Sequence, residues 1–168
     1  GTGTFTVAAG NYTYTVSDAN GCTTTTTINV AQPTLLVASS AVTSSIACNG
    51  GNAIITVSAT GGTGAYTGTG TFTVAAGNYT YTVSDANGCT KTTTINVAQP
   101  TLLVASSAVT SSIACNGGNA VVTVSATGGT GSYTGTGTFT VAAGNYTYTV
   151  SDANGCTKTT TINVVQPT

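Results

Sequence analysis

The chain has 168 residues, of which 40% are apolar and only 3% charged, with a net charge of −1 and no His, Met or Trp. A soluble domain usually carries about 25% charged residues, so the raw material of most site chemistry is scarce. Acid–base catalysis needs positioned titratable groups and nucleic-acid binding needs a basic patch, so neither an enzyme nor a nucleic-acid binder is expected, no cofactor is implied, and no apolar run reaches the roughly 18 residues of a membrane span.

The segment "YTVSDANGCT" occurs at 14–23, 81–90 and 148–157, so the chain repeats every 67 residues. Residues 1–67 and 68–134 differ only at Thr24/Lys91, Ile54/Val121, Ile55/Val122 and Ala65/Ser132. Two and a half copies of one unit follow: residues 1–33 as the trailing half of a preceding repeat, then repeats at 34–100 and 101–168. The chain begins in mid-unit and is expected to be a fragment.

Within one unit the elements read in order. "TLLVASSAVTSSIAC" opens with a β-prone strand, and "NGGN" (49–52) is a turn signal. "AIITVSA" (53–59) points Ile55 and Val57 inward and Thr56 and Ser58 outward. "TGGTG" (60–64) reads as a loop, and "AYT" and "TFTV" as short strands, the latter burying Phe72 and Val74. "NYTYTVS" alternates Tyr79, Tyr81 and Val83 against threonines. "DANG" is a turn built on Asp85, Asn87 and Gly88, with Asp152, Asn154 and Gly155 in the next copy, its Asn-Gly tolerating φ > 0. "CTKTTTINV" is the last strand, with Ile95 and Val97 inward, and "AQPT" breaks the ladder. No helix signal exists.

Six or seven short strands per unit suggest an antiparallel β-sandwich. "AGNYTY" sharpens this to an immunoglobulin-like one, because Gly-x-Tyr before the penultimate strand is a tyrosine-corner pattern. The second Tyr stands where the inter-sheet cysteine of such domains would be. The expected fold is therefore all-β: tandem immunoglobulin-like sandwiches arranged end to end.

"CNGGNAIITVSATGGTGAYTG", "AAGNYTYTVSDANGCTKT" and the closing "QPT" resemble the SprB-type repeats of gliding-motility adhesins in Bacteroidota, and the PKD-like, immunoglobulin-like repeats of related surface proteins. The resemblance covers every copy. It implies a very long exported fibre, carried out by type IX secretion and displayed on the cell surface. The aromatic stretch expected after "GGTGAYT" is shortened to "GTGTFT".

Each feature also has a plainer reading. The lone Asp of "SDANG" is far short of the six to eight oxygens of a calcium site and reads as turn stabilisation. "NYT" at Asn11, Asn78 and Asn145 matches a glycosylation sequon but reads as turn chemistry at a strand start. The outward threonines could form an ice-binding array, yet Thr suits any wet sheet face. Tyr66 and Tyr133 are the candidates for contacting a surface polysaccharide.

Cysteines are the remaining chemistry. Pairing is expected in an exported protein, within units as Cys48–Cys89 and Cys115–Cys156, or between them. In an immunoglobulin-like order the second and penultimate strands run parallel. Cys48 precedes one and Cys89 follows the other, so they lie at opposite poles. A seven-residue strand spans roughly 23 Å, and a disulfide tolerates about 4.4–6.8 Å between Cα atoms. Stacked units favour Cys48–Cys156 instead, leaving Cys22 and Cys89 for upstream units and Cys115 for a downstream one. The expected function is a structural stalk, with neighbouring repeats and other copies in a fibre as partners. The rival is a multivalent glycan-binding repeat, and the remote one an ice-binding surface.

Overall fold

The computed structural model describes residues 3–167. Residues 1, 2 and 168, at the outer ends of the first and last expected segments, lie outside them. All regular structure among the described residues is β. β1 (Gly10–Ser17) and β2 (Thr23–Val30) form a hairpin. β3 (Thr34–Ser44), β4 (Ala53–Gly62) and β5 (Gly70–Val74) form an antiparallel sheet with β4 in the middle, followed by the hairpin β6 (Gly77–Ser84) and β7 (Thr90–Val97). The pattern then recurs: β8 (Thr101–Ser111), β9 (Ala120–Gly129) and β10 (Gly137–Val141) make the sheet, and β11 (Gly144–Ser151) and β12 (Thr157–Val164) make the hairpin.

Period-two alternation explains both layers, because successive side chains on a strand face opposite ways. In β4, Ile55 is fully buried while its neighbour Ile54 is 41% exposed. Ile46, Ala53, Ile55 and Val57 from the three-stranded side meet Val83 and Val97 from the hairpin in one core. The equivalent residues, Ile113 to Val164, make a second core that shares no residue with the first. Each fully buried Val or Ile contributes about 1.5–3 kcal/mol of apolar transfer. Phe72, Val74, Tyr79, Tyr81 and Ile95 are only half-buried and pack around the rim of the first core. Phe72 lies against Tyr81 with ring centroids 4.6 Å apart. Ile46, Ala53 and Leu36 are buried too, although none of them is singled out from the sequence.

Several expectations are corrected. Each repeat has five strands rather than six or seven. "AYT" is no strand: Thr67 makes one isolated bridge, exchanging both backbone bonds with Ser84. Gly64 and Gly68, both at positive φ, flank it and stop the ladder from extending. "TGGTG" is not wholly a loop, because β4 runs on to Gly62, which pairs with Thr34. In the "DANG" turn only Gly88 takes positive φ, and Asn87 does not. The loop closes through Gly88 N–H to Asp85 C=O at 3.0 Å and Asp85 N–H to Cys89 C=O at 3.0 Å. Asn78 does not serve a turn; Asn96 Nδ2 donates across the ladder to its Oδ1 at 2.6 Å. Tyr79 Oη donates to Ala75 C=O at 3.0 Å, fixing the approach to β6, and Tyr146 repeats the bond to Ala142.

Candidate functional site

The site is built from two loops. The first is the Cys-Asn-Gly-Gly loop between β3 and β4. Gly51 N–H bonds back to Cys48 C=O at 2.9 Å, which turns the loop. Asn49 Nδ2 then donates to Pro100 C=O at 2.9 Å, and Gln99 Oε1 accepts from Gly50 N–H at 2.8 Å. The loop thus grips the chain leaving β7, at the pole where the next repeat starts. In the second repeat, where Cys115 is a free thiol, the matching Gly117–Gln166 bond is 3.4 Å long.

The second loop is the Asp-Ala-Asn-Gly-Cys turn. Asp152 is only 6% exposed. Backbone amides satisfy it: Oδ1 accepts from Asn154 and Cys156, and Oδ2 from Thr130, which follows β9 of the other sheet, all at 2.9–3.0 Å. Desolvation pushes its pKa up, but the amides of Cys156, Thr130, Asn154 and Gly155 outweigh this and hold the carboxyl below its ordinary value. Asp85 does the same with Thr63, Cys89 and Asn87. The carboxylate therefore fixes the backbone of the cysteine that follows. Gly129 leaves it room, since a Cβ there would stand 2.6 Å from Asp152 Oδ2.

The two loops meet. Cys48 of the first repeat is bonded to Cys156 of the second, with Cα atoms 5.7 Å apart, inside the range a disulfide tolerates. Beside the bond, Asn154 Nδ2 donates to Ala47 C=O at 3.0 Å. The alternative pairings are not formed: Cys156 is committed to Cys48, and Cys22, Cys89 and Cys115 are exposed free thiols. Cys48–Cys89 fails for a geometric reason. Thr63 N–H on the end of β4 binds Asp85 at the end of β6, so the turn holding Cys89 sits at the far end of β4 from Cys48.

Asp85, Asn87, Gly88, Asp152, Asn154 and Gly155 all lie in these turns. Tyr66 and Tyr133 lie elsewhere: each is half-buried against its own core, and their hydroxyls donate to Gly61 and Gly128 C=O at 2.6 Å. Sequence reasoning missed the clamp residues Asn49 and Gln99, although "CNGGN" and "QPT" contain them, and it read Asn154 as a turn residue without its bond to Ala47. A shallow cleft beside the bond is bounded by Cys48 and Asn49 on one side and by Leu102, Asp152 and Lys158 on the other. The chain matches no family model, and no curated protein matches it either.

Proposed function

We propose that the chain is a segment of an extracellular structural stalk, built of immunoglobulin-like sandwiches joined end to end. The observation that carries this reading is the Cys48–Cys156 bond between consecutive repeats. A bond inside a repeat would only stabilise that repeat, whereas this one fixes the next repeat to it. The Asn49–Pro100 and Gly50–Gln99 clamp restrains the same junction. The tyrosine-corner bond Tyr79–Ala75, and the two-layer packing of a three-stranded sheet on a hairpin, support the immunoglobulin-like assignment. Repeats at 34–100 and 101–168, each with its own core, suit a quasi-one-dimensional array in which each unit touches only its neighbours. A disulfide fits an oxidising location, and the resemblance to SprB-type adhesin repeats gives that location as the bacterial cell surface, with type IX export and a part in adhesion or gliding. This reading is preferred to multivalent sugar binding because Tyr66 and Tyr133 are tied into their own repeats.

Electron microscopy of the native protein tests the proposal. Filaments of uniform width that keep their contour under oxidising conditions are expected. Separate globules joined by freely bending segments would refute it.

A further inference from the structure

The hairpin β1–β2 is an internal control. Its sequence differs from that of β6–β7 only at Thr24, where the later copy has Lys91. It also has the same register, from Gly10↔Val30 to Ser17↔Thr23. The local bonds recur as well: Tyr12 Oη donates to Ala8 C=O at 2.9 Å, and Phe5 stacks on Tyr14 at 4.8 Å.

Its inward face differs from the others in having no cover among the described residues. Val83 and Val150 are fully buried, and Val16 is only half-buried. Ile28 is 53% exposed where Ile95 and Ile162 are half-buried, and Phe5 is 60% exposed where Phe72 and Phe139 are half-buried. Asp18 accepts amides from Asn20 and Cys22 but, among the described residues, has no third donor like Thr63 or Thr130. Neither core includes a residue of this hairpin. The two later copies identify what covers such a face: the three-stranded half of a repeat, which supplies both the apolar layer and the missing amide.

A second observation points to the same occupant. Cys89 is a free thiol on a turn identical in sequence and hydrogen bonding to the one that presents Cys156. Cys156 is joined to the loop of the preceding three-stranded sheet. A three-stranded half seated on β1–β2 would be to Cys89 as β3–β4 is to Cys156.

We infer that the inward face of β1–β2, together with the Cys89 turn, is a docking surface for a polypeptide carrying the three-stranded half of a repeat. The docked strands cover Val16, Ile28 and Phe5, place a backbone N–H on Asp18, and bring the cysteine of their Ser-Ile-Ala-Cys-Asn-Gly-Gly loop to Cys89. The two thiols then join. Their two protons and two electrons pass to a small-molecule disulfide, which leaves as two thiols. Cys22 stays free, because it lies on the docked repeat's own far turn, as Cys89 does relative to Cys48. Cys115 also stays free, because its partner must be an Asp-Ala-Asn-Gly-Cys turn, which the docking polypeptide lacks. None of this depends on the chain being part of a stalk.

The test uses the whole 168-residue chain and a separate peptide of residues 34–76, whose one cysteine is Cys48, in a buffer of oxidised and reduced glutathione. Docking should raise the local thiol concentration into the millimolar range. With peptide at about 10 µM, the Cys89 adduct should therefore exceed those at Cys22 and Cys115 by about a hundredfold. Non-reducing peptide mapping reads the ratio, and the preference should vanish in urea. A chain with Val16→Asp, a change outside both cores, should lose the preference while keeping Cys48–Cys156. Equal adducts at the three thiols, no Cys89 adduct up to the solubility limit of the peptide, or an undiminished preference in Val16→Asp would each overturn the inference.

Discussion

Replacing Cys48 and Cys156 together by Ser removes the bond between repeats and leaves both cores untouched, because neither core contains a cysteine. The bonded residues are 108 apart in sequence, and loop-closure entropy for that length amounts to about 4.8 kcal/mol when everything between them is unfolded. The repeats can also unfold singly. If only the second repeat unfolds, the bond closes a loop of roughly 55 residues between Thr101 and Cys156, with a cost of about 4.2 kcal/mol. Unfolding the first repeat alone gives nearly the same figure. The first repeat to unfold therefore meets almost the whole penalty, and the second adds only about 0.6 kcal/mol. So the bond should both stabilise the pair and couple its halves. Urea denaturation reads the two effects separately, since the slope m scales with the surface exposed in one cooperative step. The oxidised chain should melt with the slope of two repeats. The double variant should melt at lower urea with about half that slope, each repeat unfolding by itself. An unchanged midpoint, or an unchanged slope, would refute the reasoning.

Val83→Ala removes two methyl groups from a fully buried site and should cost about 2–3 kcal/mol, whereas Val16→Ala, at the half-buried equivalent position, should cost less than about 1 kcal/mol; thermal melts compare them, and equal costs would contradict the burial difference. Asp85 and Asp152 have folded pKa values lowered from 3.8, so their stabilising effect is present above that value and is lost as pH falls through the lower folded ones. Acid titration of the urea midpoint should show this loss, and Asp85→Asn with Asp152→Asn should remove it. Tyr79→Phe deletes the exposed bond to Ala75 and should cost about 1 kcal/mol or less, read as a small drop in urea midpoint with an unchanged slope.

Much of the fold can be read from the sequence because Thr alternates with apolar residues so regularly. That alternation assigns Ile55, Val57, Val83 and Val97 to the interior, and they are buried. It overstates Tyr79, Tyr81 and Ile95, which have inward parity but lie near the rim of a small two-layer core. Parity gives the face and not the depth. Ile46 escapes it because it lies in the loop after β3, where the period is broken, whereas Ala53 is in phase with Ile55 and Val57 and only its small side chain keeps it from being singled out. The poles of the cysteines follow from strand direction once an immunoglobulin-like strand order is assumed, and on that assumption Cys48 and Cys89 separate without coordinates. The clamp could not be read in this way. Asn49 and Gln99 act through side-chain amides between the loop after β3 and the segment after β7, and such long-range contacts leave no periodic trace. "AYT" is β-prone by composition, but its flanking glycines at positive φ decide its fate.

The Cys48–Cys156 bond also changes how a load would travel through the pair. A pull applied at Thr34 and Gln166 enters along β3, crosses at the disulfide and leaves along β12. The roughly 107 residues between the two cysteines lie outside that covalent path. They hold nearly all of both cores, including every residue of β4, β6, β9 and β11. Unravelled, they would add about 350–385 Å of chain at 3.3–3.6 Å per residue. With the bond intact that length cannot be drawn out, whatever happens to the folds inside it. Single-molecule stretching should therefore give short extensions for the oxidised pair and recover the full length only after reduction.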